Sequence, residues 1–206
     1  EDNATNNADG LVVFSTLTFD KVGTYNYVVY ENEVDGKGVT VDTTEYAVQV
    51  VVTDNGEGNL VASIYVNGAA VSGSTASAIV FENNYKAEKT DIVISANKVL
   101  DGRELVDGEF TFELYSGDEL VATAKNNADG LIVFENIAID EAGEYVFTVK
   151  EVKGDDQNVT YDETVYTVTV TVTDNLDGTF SVDYAYENGE DEVEAIVFNN
   201  KYTEPT

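Results

Sequence analysis

Asn6-Asn7-Ala8-Asp9-Gly10-Leu11 recurs letter for letter as Asn126-Asn127-Ala128-Asp129-Gly130-Leu131, a displacement of 130 − 10 = 120 residues in a chain of 206. The echo continues: Gly23-Thr24-Tyr25 returns as Gly143-Glu144-Tyr145, Thr53-Asp54-Asn55 as Thr173-Asp174-Asn175, and Ile79-Val80-Phe81 as Ile196-Val197-Phe198. A period of that length is the size of one β-sandwich domain. Two tandem domains are expected, at 1–86 and 87–206.

Inside each repeat, short runs rich in Val, Thr, Tyr and Phe alternate with clusters of Gly, Asn and Asp. That is the pattern of strands joined by turns, and nothing reads as a long helix. The clearest strands are Tyr145 to Glu151, Val165 to Thr173 and Phe180 to Tyr186. Asp174-Asn175-Leu176-Asp177-Gly178, between the last two, reads as a hairpin turn; a calcium loop would need a closing Glu at a spacing this segment lacks. The fold class is all-β, with tandem immunoglobulin-like sandwiches.

The repeats differ at their starts. The second has 126 − 90 = 36 residues, Thr90 to Lys125, ahead of the shared Asn-Asn-Ala-Asp-Gly element, and the first has five. The first domain is thus expected to lack its N-terminal strands, the equivalents of Thr90 to Lys98 and of Glu109 to Tyr115.

Composition narrows the function. Ten Lys and Arg stand against 40 Asp and Glu, a net charge of −30, which repels nucleic acid and anionic surfaces. With no Cys and no His, disulfides, thiolate sites, the usual zinc ligand and the usual catalytic base are excluded, so no metal or cofactor is expected. Apolar residues make up 43%, enough for packed cores despite the charge. No stretch approaches the roughly 18 apolar residues of a membrane-spanning helix, and no membrane insertion is expected.

Side chains two apart on a strand share a face. Ile92, Ile94 and Ala96 lead in step to Lys98; Tyr145, Phe147 and Val149 lead to Glu151; Ile196 and Phe198 lead to Asn200. Three apolar series therefore end on polar residues facing one core. Burial disfavours both charges, leaving a neutral amine and a protonated carboxyl. Such an amine is a nucleophile, and the Glu could polarise the Asn carbonyl and relay protons until ammonia leaves. The plainer alternative is a buried Lys–Glu ion pair with Asn as a hydrogen-bonded neighbour.

In the first repeat Tyr25, Tyr27 and Val29 lead to Glu31, and Ile79 and Phe81 lead to Asn83, but the Lys is missing. Lys86 and Lys89 follow Asn83 too closely to return antiparallel beside it, and Lys21 and Lys37 fall in turn-like segments.

Asn97-Lys98-Val99-Leu100, Glu109 to Leu114, Gly143 to Glu151, Tyr161-Asp162 and Phe198-Asn199-Asn200 together resemble the Gram-positive pilin isopeptide-linkage repeats. These FctA-like domains are relatives of the collagen-adhesin B-type (CnaB-type) domains. The resemblance implies an intramolecular isopeptide bond between Lys98 and Asn200, with Glu151 as catalytic proton relay and Glu31 as its equivalent in the first repeat. It implies a structural shaft or stalk module of a pilus or adhesin on the bacterial cell surface, extracellular, crosslinking itself once and not acting as an enzyme. Its partners would be neighbouring repeats or fibre subunits, with a host surface ligand as a further partner.

For the first repeat two expectations stand. Its Lys strand is truncated, or a neighbouring subunit supplies that strand and Asn83 is the crosslink acceptor. A ligand-binding adhesin domain is the rival function; against it, the aromatics lie in strand-like runs and Trp is absent.

Overall fold

β-Branched and aromatic residues at alternate positions favour extended, half-buried segments. The computed structural model, which describes residues 2–205, turns them into strands throughout; among the described residues there is no α-helix, only one 3-10 turn, Thr75–Ser77. The chain divides into two compact units, Glu1–Tyr85 and Lys86–Thr206.

In unit 1 the strands are β1 (Gly23–Val29), β2 (Val39–Thr40), β3 (Tyr46–Asp54), β4 (Leu60–Val66), β5 (Ala69–Val71) and β6 (Asn84–Tyr85). They form one sheet in the order β1-β3-β4-β5 and a separate β2–β6 pair. Residues 11–19 and 79–83 are not in strands.

Unit 2 contains β7 (Thr90–Asp101), β8 (Thr111–Ser116), β9 (Glu119–Lys125), β10 (Leu131–Ile139), β11 (Gly143–Glu151), β12 (Val159–Thr160), β13 (Val165–Asp174), β14 (Phe180–Asn188), β15 (Asp191–Val193) and β16 (Val197–Tyr202). Two sheets result, β10-β7-β16-β12 and β15-β14-β13-β11-β8-β9. Their inner faces bury Ile92, Ile94, Phe112, Leu114, Phe134, Phe147, Val149, Val168, Val170 and Phe198 in a continuous core. This is the sandwich read from the repeat.

The alternation is strict in β7, which buries Ile92, Ile94, Ala96 and Lys98 and exposes the residues between them. In β10 it is broken by a bulge between Phe134 and Ile137, where Asn136 takes a φ of 62°. The extra residue flips the parity, so Ile132 and Phe134 are followed inward by Ile137 and Ile139.

One expectation is corrected. The first and last strands of the complete repeat run parallel, not antiparallel: β16 pairs with β7 in the register Phe198↔Lys98 and Asn200↔Leu100. A parallel neighbour needs a long crossover, and here the rest of the sandwich provides it. Lys86 and Lys89 follow Asn83 by only three and six residues, and no connection that short joins parallel neighbours.

The segment 174–178 is a hairpin turn between paired β13 and β14. Its polar side chains turn back on its own backbone: Asp174 Oδ1 accepts from Leu176 N at 2.8 Å, and Asp177 Oδ1 accepts from Thr179 N at 3.1 Å.

Candidate functional site

β7, β11 and β16 carry Lys98, Glu151 and Asn200 to one buried point between the sheets, and all three side chains are buried. Lys98 Nζ donates to Glu151 Oε2 at 2.8 Å, and Asn200 Nδ2 donates to Glu151 Oε1 at 2.7 Å. One carboxyl group therefore bridges the amine and the amide nitrogen. The amine also lies 4.8 Å from the ring centre of Phe110 and 5.9 Å from that of Phe112, which keep water from it.

Burial lowers the Lys98 pKa below its ordinary value, against the opposing pull of Glu151. Burial likewise raises the Glu151 pKa, with Lys98 restraining the rise. Both shifts favour moving the proton from nitrogen to carboxyl, giving the uncharged pair.

The Asn200 amide is held from its other side as well. Its Oδ1 accepts from the backbone N–H of Asp162 at 2.7 Å. Asp162 is itself fixed: its Oδ1 accepts from Thr164 N at 2.9 Å and its Oδ2 from Asn199 N at 2.7 Å. Burial pushes the Asp162 carboxyl up, but these hydrogen bonds together outweigh it and leave the pKa below its ordinary value. The expectation that Glu151 polarises the Asn carbonyl thus needs revision. Glu151 faces the amide nitrogen, and a backbone N–H faces the oxygen.

Unit 1 repeats the arrangement without the amine. Asn83 Nδ2 donates to Glu31 Oε1 at 2.8 Å, Asp42 N donates to Asn83 Oδ1 at 2.8 Å, and Asp42 accepts from Thr44 N and Glu82 N. The pairing Val39↔Tyr85 and Thr40↔Asn84 reproduces Val159↔Tyr202 and Thr160↔Lys201. Tyr46 hydroxyl donates to Val80 O as Tyr166 hydroxyl donates to Val197 O. Glu31 Oε2, the counterpart of the oxygen that accepts from Lys98, is buried and has no hydrogen-bond partner. Lys21 and Lys37 are exposed.

The sequence reading missed Asp162 as part of the site, although Asp followed two residues later by Thr occurs at both 42 and 162. It also missed Asn126, buried in unit 2, which accepts from Phe110 N at 2.7 Å and donates to Val106 O at 2.8 Å, fixing the entry to β8.

A family model described as FctA, a Spy0128-like isopeptide-containing domain, matches residues 1–86 and 94–203. Among solved structures the chain is similar to the major pilin protein T3.2 of Streptococcus pyogenes serotype GAS13637, at 15% identity over 97% of this chain and 86% of that one, TM-score 0.28. It is also similar to the major pilin from Streptococcus pyogenes, at 20% identity over 96% of this chain and 79% of that one, TM-score 0.32. No curated protein matches it.

Proposed function

This chain belongs to the FctA family of Spy0128-like isopeptide-containing domains, and on that premise we propose that unit 2 joins Lys98 to Asn200 through an amide and serves as a structural shaft or stalk module. The setting is a bacterial surface pilus or adhesin, where the unit carries tension between neighbouring repeats or subunits. The observation that supports the reading most is Glu151, whose two oxygens bridge the nucleophilic nitrogen and the nitrogen that must leave.

The chemistry follows from that bridge. Glu151 takes a proton from Lys98, freeing the lone pair on Nζ, which attacks Cγ of Asn200. The Asp162 N–H stabilises the charge that develops on Oδ1, as an oxyanion donor does. Glu151 passes its proton to Nδ2, the Cγ–Nδ2 bond breaks, and the nitrogen departs as ammonia. Nζ, which still holds two hydrogens after the attack, gives one of them to Glu151, and that proton leaves with the ammonia as ammonium; the new Nζ–Cγ bond is then a neutral amide, and no metal or oxidant is needed. The reaction happens once and does not turn over.

Intact-protein mass spectrometry tests this, because each amide formed loses about 17 Da as ammonia. Proteolysis should then yield one branched peptide joining the Lys98 and Asn200 segments. An unshifted mass would sink the proposal and leave an ordinary buried ion pair.

A further inference from the structure

The hexapeptide Asn126 to Leu131 carries none of the reacting groups, yet it reaches Lys98 at both ends. At the backbone end Asn127 builds a turn: its N–H donates to Leu131 O at 2.8 Å, its Oδ1 accepts from Leu131 N at 2.8 Å, and its carbonyl accepts from Gly130 N at 3.0 Å. Gly130 O in turn accepts from Lys98 N at 2.7 Å.

At the amine end the contact runs through Phe110. Its ring centre lies 4.8 Å from Lys98 Nζ, and it meets Tyr161, the residue before Asp162, edge to face with 6.0 Å between ring centres. The ring face attracts the ammonium, and its bulk keeps water away. Phe110 is buried although it ends a loop, 102–109, whose residues are exposed or half-buried and lie outside the strands.

Asn126 holds it there. This side chain is 1% exposed. Its Oδ1 accepts from Phe110 N at 2.7 Å, its Nδ2 donates to Val106 O at 2.8 Å and to Asn127 O at 2.9 Å, and its carbonyl accepts from Gly108 N at 2.7 Å. A buried carboxamide satisfied at both ends is costly to displace, so it fixes the loop and the turn in one geometry.

We infer that Asn126 is a positioning residue for the crosslinking step. Through Phe110 it keeps the Lys98 amine dry and aimed at Glu151 and Asn200, and through Asn127 it ties that cover to the turn that pins the Lys98 backbone. Burial is what lowers the Lys98 pKa, and Phe110 is part of that burial, so the same ring favours the neutral nucleophile. Asn126 itself makes and breaks no covalent bond. The inference rests on the reading of unit 2 as self-crosslinking.

The test follows ammonia loss in the full chain made by cell-free synthesis, with samples taken at intervals into acid and urea and read by mass spectrometry. Asn126→Ala should form the amide about 10- to 100-fold more slowly than the unaltered chain, since a small misplacement of reacting atoms costs that much. Phe110→Ala should lose as much, and Phe110→Leu, which keeps an apolar cover, should recover most of it. In the Phe110→Ala background, Asn126→Ala should change the rate by less than about threefold, because the residue through which it acts is gone. Val172→Ala, a core truncation opposite Gly143 at the far end of β11 from Glu151, lowers stability away from the site and should leave the rate unchanged.

An unchanged rate in folded Asn126→Ala overturns the inference. So do effects that multiply in the double variant, or equal slowing by Val172→Ala, since either makes Asn126 a residue of stability alone. Circular dichroism reports folding. Should Asn126→Ala not fold, Asn126→Ser, which keeps an oxygen for the Phe110 N–H, takes its place, and failure of both to fold also overturns the inference. An unaltered chain that loses no ammonia defeats the Lys98–Asn200 proposal itself and this inference with it, whereas equal loss by the unaltered chain and Asn126→Ala defeats this inference alone.

Discussion

The backbone of Lys98 is pinned against Gly130: its N–H donates to Gly130 O at 2.7 Å, and its carbonyl oxygen occupies the space where a side chain at 130 would begin, 2.2 Å away. Glycine is required there twice over, for a φ of 88° and for the close approach.

Gly130→Ala should therefore destabilise unit 2 by roughly 2–4 kcal/mol, combining left-handed strain with a displaced strand. Gly10→Ala, with the same φ and open space, should cost only about 1 kcal/mol. Urea unfolding of the two variants checks this, and equal losses would show that backbone strain alone accounts for the effect.

Glu151→Gln keeps the shape of the side chain but cannot carry a proton between the two nitrogens. The variant should fold, retain its full mass and melt lower. Closing a loop of about 100 residues is worth on the order of 5 kcal/mol in the chain-entropy view, which corresponds to about 20 °C for a domain of this size. Mass spectrometry and calorimetry on the same sample are the measurement.

Asp162→Ala releases the two N–H groups of Thr164 and Asn199 and with them the alignment of the Asp162 N–H on Asn200. Loss of one oriented hydrogen bond to the developing oxyanion should slow crosslinking about 10- to 100-fold. The fraction of chain that has lost ammonia, followed in time after refolding, reads the rate directly. Asp162→Asn, which preserves one acceptor, should recover part of it.

Lys98→Met leaves Glu151 buried without its restraining neighbour. Burial raises the folded pKa above the ordinary 4.5, so the folded unit holds the proton more tightly than the unfolded chain. Stability from that group is then fully present below the ordinary value and is lost as pH rises through the folded pKa. The variant should melt higher at about pH 5 than at about pH 8, and Lys98→Met/Glu151→Gln should lack that difference. Equal pH slopes in the two would mean that Glu151 does not titrate in this range.

Much of this site was legible because strand parity is a local property. Lys98 follows Ile92, Ile94 and Ala96 by steps of two, so its inward direction needs no knowledge of neighbouring strands. The same holds for Glu151, whereas in unit 1 Glu31 lies beyond the end of β1 and Asn83 is exposed in a segment outside the strands, so parity there named residues that no strand carries. What parity cannot supply is the direction of a distant partner, and the parallel pairing of β7 with β16 escaped for that reason. Asp162 escaped differently: it meets Asn200 through its backbone N–H, which every residue but proline possesses, so Tyr161-Asp162 could carry a family resemblance without its residue type pointing to a place in the site. The bulge at Asn136 was hidden too, since a single inserted residue leaves the composition of β10 unchanged.

The parallel β7–β16 pairing bears finally on length. If Lys98 is joined to Asn200 as proposed, tension that enters unit 2 through β7 and leaves through β16 would bypass the roughly 100 residues between them, about 340 Å of extended chain at about 3.4 Å per residue. That stored contour would then not be released, and a fibre of such units would stretch only at its linkers and at the few residues outside each closure, returning to the same length after every load.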